Sequence, residues 1–352
     1  MTKSANFEID GIRIGGGAPA YVIAEIGVNH NGDVQLAKQL ISIAASARAQ
    51  AAKLQSFSAD RLVVSSAAKA PYQLETTDAS ESQHAMLKGL ELNEEAHREL
   101  FAHAKRCGIT LLSTPFDEES ADLLFAAGAP AFKISSGDLT HPDLLRYIAK
   151  KGRPMLVSTG MANISEVHSA ITAIAEAGDP PVALLHCVSV YPADPGDANL
   201  RVMNTLRDCF GVPVGWSDHT TDPAVAWAAA ALGAEIFEKH ITLDRTMPGP
   251  DHRASADPAD FATYVEGIRT VERALGRRAK RMVDSEVAIA AVARRSVVTL
   301  SPVFEGELIA AHHLGCRRPG IGLSPSMLPM LVGRRAARDI PVGTILDLTM
   351  LT

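Results

Sequence analysis

The chain has 352 residues, with 26 glycines, 20 prolines, 47% hydrophobic and 21% charged residues and a formal net charge of -6. This is the composition of a globular protein large enough for one big barrel with an appendage or for two medium domains, and it excludes a disordered chain and a collagen-like fibre. The acidic balance leaves no footprint for nucleic acid, and the one dense basic run, Arg277, Arg278, Lys280 and Arg281, is short and reads as a solvated linker.

No apolar run reaches the roughly 20 residues that span a bilayer, and the first ten residues lack an apolar signal core. Cys107, Cys187, Cys209 and Cys316 show no paired spacing, which argues against a disulfide framework and a structural zinc site. A cytoplasmic protein with reduced thiols is expected.

Residues 1–20 contain the alternating segment FEIDGIRIGGG, which predicts a small hairpin turning at Asp10-Gly11 and placed to plug a barrel floor. Eight short apolar runs follow: YVIAEIG (21–27), AAKLQSF (51–57), ITLLSTPF (109–116), AFKISS (131–136), PMLVST (154–159), VALLHCVS (182–189), VPVGWSD (212–218) and EIFEKHI (235–241). Between them lie segments of helical period, such as 33–49, 93–107, 117–127 and 163–177, several opening at a capping residue and closing at glycine.

Eight strand-helix units predict a (β/α)8 TIM barrel, an α/β fold whose functional groups stand where strands end and βα loops begin. A doubly wound open sheet would want a GxGxxG first turn, and the turn here reads GVNHNGD. The long connection from Ser58 to Leu92 is expected as a loop at the active face. After a linker over 279–291, residues 292–352 change to short β-rich pieces. VFEGELI (303–309) and IPVGTIL (340–346) form a weak repeat that suggests a compact β domain with approximate two-fold symmetry. The barrel domain with its hairpin is placed at 1–278.

Lys53 and Lys133 stand inside otherwise apolar strands, where a buried ammonium needs an anion. Pairing with Glu25 or Asp138 would satisfy either one, whereas the two together, with Thr114, Ser136 and Ser158 nearby, make a better cradle for a phosphate or carboxylate. His219 and His240 end consecutive strands and can converge on one point near Glu25 and Asp251. Either is an ordinary hydrogen-bonded histidine if taken singly. As a pair they suit a divalent cation, and imidazole, carboxylate and water ligands permit Mn2+, Mg2+, Fe2+, Co2+ or Zn2+. The loops at 247–252 and 317–320 are unremarkable as turns.

Together AEIGVNHNGD (24–33), AKLQSF (52–57), STPFD (113–117), FKISSGD (132–138), STGM (158–161), LLHCVSVYP (184–192), SDHT (217–220), EKHITLDRTMPGPDH (238–252) and RRPGIG (317–322) resemble the motifs of the sialic acid synthases over nearly the whole chain. The carboxyl-terminal part resembles that family's antifreeze-like (SAF) domain. The resemblance implies a metal-dependent condensation of phosphoenolpyruvate with N-acetylmannosamine or a related acetamido sugar, giving a nine-carbon sialic acid and phosphate. It implies Mn2+ first, with Mg2+ or Co2+ as alternatives, held by His219 and His240 as a Lewis acid at the sugar aldehyde.

By the same resemblance Lys53, Lys133, Ser136, Thr114 and Ser158 hold phosphoenolpyruvate, and Glu25 orients the sugar and a water or acts as general base. Asp251 orients sugar or water, and Gln55 and Tyr191 bind sugar or phosphate oxygens. Arg318 reaches the acetamido group in the barrel of a neighbouring subunit, so a domain-swapped homodimer is implied. Asp138 and Ser189 stand where several family members carry Glu and Asn, near the expected sugar site. Those departures suit an alternative, a legionaminic or pseudaminic acid synthase using a diacetamido-dideoxyhexose. An octulosonate-type synthase would need a second phosphate site, for which the barrel has no extra basic cluster. A carbohydrate-binding protein would not need the Lys53, Lys133, His219 and His240 set.

Overall fold

The computed structural model describes residues 6–78 and 80–352. The first five residues of the expected barrel domain lie outside the described residues. The chain forms two compact units, Met1–Gly276 and Arg277–Thr352.

In the first unit, β1 (Asn6–Ile9) and β2 (Ile12–Gly15) pair as an antiparallel hairpin. Its two turn residues, Asp10 and Gly11, have φ of 51° and 77°, the left-handed pair that a two-residue turn requires. Eight parallel strands follow among the described residues: β3 (Tyr21–Gly27), β4 (Ala51–Ser56), β5 (Thr110–Pro115), β6 (Phe132–Ile134), β7 (Met155–Ser158), β8 (Val182–Cys187), β9 (Val214–Asp218) and β10 (Ile236–His240). Their order is β5-β4-β3-β10-β9-β8-β7-β6, so the last strand pairs with the first, and β5 and β6 lie side by side where the barrel closes. Each of the eight apolar runs read in the sequence contains one of these strands.

Strand alternation divides the side chains into two layers. Outward residues such as Val22, Ala24, Trp216 and Phe237 pack against the helices. Inward residues at the amino ends of the strands, among them Tyr21, Ile23, Ala51, Leu112, Leu156, Ala183 and Ile236, form a separate apolar plug. Ile9 and Ile14 of the hairpin, both fully buried, belong to this plug. The Thr110 hydroxyl donates to Asp10 at 3.0 Å and ties the hairpin turn to β5. The floor is therefore closed and apolar, and the next inward layer up each strand is polar.

The helices start at the expected caps. Asp33 accepts from the amides of Gln35 and Leu36, and Asn163 forms a capping box with Glu166. The 58–92 connection is not a plain loop: it contains the short helices Ala59–Leu62, Pro71–Thr76 and Gln83–Lys88. Met86 and Leu90 bury against Val28 and Phe57, giving the segment a small core of its own. Lys69, with its side chain buried, donates to Thr77 Oγ1 at 2.9 Å and the Asp78 carbonyl at 2.8 Å and pairs with Glu81 at 3.0 Å. Among the described residues no helix is long and apolar enough to cross a membrane.

The second unit pairs β11 (Ser296–Thr299) with β12 (Leu314–Arg317) antiparallel. Val303 bridges Ile340, the matching position of the repeat, and Gly306 and Gly343 share φ values of 77° and 79°. Ile309 and Leu346, again equivalent, are buried in one core with Val297, Leu314 and Leu331. The stretch expected as a linker, 279–291, falls in this unit and overlaps the helix Val287–Ala293.

Because the hairpin contributes to the barrel core, Ile14→Ala is expected to lower the unfolding free energy by about 2–5 kcal/mol. Ile12→Ala, on the same face but 37% exposed at the turn end of the strand, should cost clearly less, about 1 kcal/mol or under. Urea denaturation of the two variants checks this.

Candidate active site

The inward residues above the apolar layer line a cleft of about 280 Å3 at the carboxyl ends of the strands. β3 contributes Glu25, β4 Lys53 and Gln55, β5 Thr114, β7 Ser158, β8 Cys187, β9 Ser217, and β10 Glu238 and His240. Lys133 comes from β6, and Ser135, Ser136, Gly137, Ser189, Tyr191 and His219 come from the turns just beyond the strands. Phe116 and Met161 complete the lining. Period-two alternation produces this set: residues 21, 23 and 25, or 236, 238 and 240, point the same way, apolar below and polar at the top.

Four buried charges interlock here. Lys53 Nζ lies 2.7 Å from Glu25 and 3.7 Å from Glu238 and donates to Thr114 Oγ1 at 2.9 Å. Lys133 Nζ lies 3.3 Å from Glu238 and donates to Ser158 Oγ at 2.7 Å. Ser217 donates to Glu238 at 3.0 Å, and Gln55 to Glu25 at 3.1 Å.

Burial pushes the Glu25 carboxyl up to about 7, with Lys53 only partly opposing it. Burial also acts to raise Glu238, but Lys133 and Lys53 outweigh it and hold that carboxyl down near 2. For Lys53, burial is outweighed by Glu238 and Glu25 and the pKa rises; for Lys133, burial prevails and it falls. Burial thus weakens the hold of the Glu25 charge while the lysines keep Glu238 ionised, which leaves Glu238 as the firmer counter-charge of the pair and both ammonium groups turned toward the cleft.

On the other side stand the imidazoles. The His219 and His240 ring centres are 5.6 Å apart, and the Tyr191 ring lies 4.1 Å from the first and 5.6 Å from the second. His219 Nδ1 is hydrogen-bonded to the Val188 carbonyl at 2.7 Å. His240 Nδ1 is buried without a hydrogen-bond partner, 3.9 Å from Asp251. Burial, with His219 and Lys53 adding to it, keeps the His240 pKa well below its ordinary value, so the ring is a neutral donor.

The orphaned ring nitrogen and the anchored second imidazole fit a pair of metal ligands. Among the described residues no three His, Cys, Asp or Glu groups gather closely enough to hold a cation by themselves, so water or substrate must complete a shell. Burial acts to lower His219 and raise Cys187, but their mutual contact reverses both, and the thiol comes down to about 7. A cation at His219 would replace this contact.

Asp251 is held beside the cleft by its loop. Asn29 donates to the Ile241 carbonyl and to Ser255 Oγ, both at 2.8 Å, and Ser255 donates to the Asp251 carbonyl at 2.6 Å. Burial raises the Asp251 carboxyl to about 6. Asp138 is adjacent but turned back, accepting from Ser135 Oγ at 2.5 Å. Its partner is thus its own turn, and Lys133 pairs with Glu238 instead. Arg318 stands exposed in the second unit, just past β12.

Glu238, which begins the EKH motif, was assigned no role from the sequence, although its two-residue spacing from His240 on one strand places both on the cleft face. Cys187 carried the same signal through Ala183 and Leu185. Gly160 carried none. A Cβ there would lie 2.3 Å from Ser189 Oγ and 2.8 Å from Ser136 Oγ, so glycine is what lets these hydroxyls converge.

Glu238→Gln is expected to destabilise the ligand-free protein by about 3–5 kcal/mol, because it leaves two buried ammonium groups short of a counter-charge. Inorganic phosphate should then raise the melting temperature of the variant more than that of the parent. Thermal melts with and without phosphate check both expectations.

The NeuB family model matches residues 40–280, and the SAF domain model matches residues 294–352. The N,N'-diacetyllegionaminic acid synthase of Campylobacter jejuni is 43% identical over 90% of this chain and 96% of its own length. The enzyme of the same name from Legionella pneumophila is 42% identical over 97% of this chain and 98% of its own. Among solved structures, the N-acetylneuraminic acid (sialic acid) synthetase of Leptospira borgpetersenii matches with a TM-score of 0.72 at 32% identity, covering 81% of this chain and 95% of that one. The paired lysines, the paired imidazoles and these similarities lead to one conclusion: the chain belongs to the NeuB family and is a phosphoenolpyruvate-condensing synthase, a carbon-carbon bond-forming transferase.

Proposed function

We propose that this enzyme joins phosphoenolpyruvate to a diacetamido-dideoxyhexose, making a legionaminic-type nonulosonic acid. Supporting the sugar assignment are identities of 43% and 42% to two legionaminic acid synthases, against 35% to the human N-acetylneuraminate-9-phosphate synthase. This favours the diacetamido acceptor over N-acetylmannosamine. The reaction rests above all on one observation, the Lys53-Lys133 pair facing two imidazoles across a single small cleft.

Lys53 and Lys133, with the Thr114, Ser136 and Ser158 hydroxyls, bind the phosphate and carboxylate of phosphoenolpyruvate. Carbon 3 of the enolpyruvate forms the new bond to the aldehyde carbon, water adds at carbon 2, and phosphate leaves. His219 and His240 hold a divalent cation, Mn2+ in this reading, which when bound supplies Lewis-acid polarisation of the aldehyde oxygen.

Glu25, held by Lys53 and Gln55, orients the sugar and exchanges a proton near neutrality. Asp251, Gln55 and Tyr191 position the sugar. The short side chains of Asp138 and Ser189 border it and leave room for a second acetamido group. Arg318 completes the site of a second copy in a domain-swapped homodimer and contacts an acetamido group there.

Phosphate release from phosphoenolpyruvate with a panel of acetamido sugars tests the assignment. The diacetamido sugar should be preferred over N-acetylmannosamine by about tenfold or more in kcat/KM, the scale on which a pocket discriminates one substituent. A chelator should abolish turnover and Mn2+ restore it. Equal use of the two sugars removes the specificity claim, and full activity in metal-free buffer removes the metal.

A mixing experiment tests the shared site. Lys53→Ala and Arg318→Ala proteins, each impaired, should regain partial activity after subunit exchange, because one mixed site combines an intact barrel with an intact arginine. A monomer in solution, or no recovery despite exchange, contradicts it.

A further inference from the structure

Behind the two imidazoles lies a second buried ion pair that the chemistry above does not use. Asp218 and Lys239 are register partners on β9 and β10. Each immediately precedes a histidine, His219 or His240, but on the opposite face of its strand, where alternation two residues earlier puts Trp216 and Phe237 into the apolar outer layer. Asp218 is 1% exposed and Lys239 4%, and Lys239 Nζ also lies 6.0 Å above the Tyr264 ring. An apolar pair would fill this layer without the desolvation cost that two charges incur, so the charges call for another explanation.

Their hydrogen bonds supply it. The Lys239 ammonium, 3.8 Å from the Asp218 carboxylate, donates to the Asp218 carbonyl at 3.4 Å and to the Thr220 carbonyl. The Asp218 carboxylate accepts from the Thr220 amide at 2.8 Å and from its hydroxyl at 2.7 Å. The ammonium thus gathers the carbonyls of the turn and the carboxylate closes it, with His219 at its centre. The hydrogen bond from His219 Nδ1 to the Val188 carbonyl then sets the ring's tilt.

We propose that Asp218 and Lys239 are positioning residues whose ion pair fixes the 218–220 turn so that His219 and His240 can share one divalent cation. The inference rests on the metal role of the two histidines given above.

The test uses the full-length enzyme and Mn2+ alone. Calorimetric Mn2+ affinity, phosphoenolpyruvate KM at saturating Mn2+ and melting temperature are compared for the parent, Lys239→Met, Lys239→Arg and Asp218→Asn. Lys239→Met and Asp218→Asn should each weaken Mn2+ binding by about tenfold or more, the range seen when groups that orient metal ligands are lost. Phosphoenolpyruvate KM should move by less than about twofold, and Lys239→Arg should recover most of the affinity because it keeps the charge and the donors.

Should Lys239→Met fail to fold, Asp218→Asn, which keeps the side chain's size, carries the same expectation. Unchanged Mn2+ affinity in a folded variant, even with a lowered melting temperature, overturns the positioning role. A parent enzyme that binds no Mn2+ instead overturns the metal assignment, and the two failures are thereby distinguished.

Discussion

Lys53 sits 2.7 Å from Glu25 and 3.7 Å from Glu238, and Lys133 sits 3.3 Å from Glu238, with all four side chains almost completely removed from water. Such a cluster gains little stability from its own attractions, since the cost of desolvating the charges offsets them. What it provides is two ammonium groups lining a small cavity, with counter-charges close enough to keep the ligand-free barrel folded. The rest of the unit follows from holding that arrangement still. The hairpin seals the barrel floor with Ile9 and Ile14, and the apolar layer above it excludes water from below. The bare Gly160 lets Ser136 and Ser189 approach one another.

The two ends of the cleft have different physical demands. Recognising a phosphate and a carboxylate needs fixed charge and hydroxyl donors, and of the groups proposed for this all but Ser136 are strand residues whose directions the barrel dictates. Recognising a sugar depends on shape, and apart from the strand residues Glu25 and Gln55 the groups proposed for it, Asp138, Ser189, Tyr191 and Asp251, stand on turns and loops that can vary without disturbing the barrel. One scaffold can therefore keep the chemistry of phosphoenolpyruvate while the acceptor changes.

Much of this was legible in the sequence because the barrel writes a simple code. A lysine in an apolar run of five or six residues is conspicuous, and the strand that carries it tells which way it points. Asp10-Gly11 and the caps Asp33 and Asn163 were legible for local reasons of backbone geometry and hydrogen bonding. The helices of the 58–92 connection were hidden because segments of four to six residues are too short to show a helical period. Asp138 could not be placed, since its carboxylate chooses between Lys133 and its own turn and only the folded geometry decides. The Asp218-Lys239 pair was likewise illegible: within SDHT and EKH each looks like one more polar residue at a strand end, and alternation sends it away from the cleft.

The proton on Glu25 reports most directly on whether an anion enters beside the buried lysines. Burial holds this carboxyl near 7, and Lys53 is the group that keeps it from rising further. A phosphate or carboxylate that engages Lys53 weakens that restraint, so the Glu25 pKa should rise on binding and the enzyme should take up a proton. The measurement is calorimetric titration of phosphoenolpyruvate into metal-free enzyme near pH 8, in buffers of different ionisation enthalpy, where the phosphate itself is already ionised. Uptake approaching about one proton per bound ligand, absent in Glu25→Gln, is the expected result. Binding with no proton uptake, or with the same uptake in Glu25→Gln, would contradict a phosphoenolpyruvate site built on Lys53 and its buried partners.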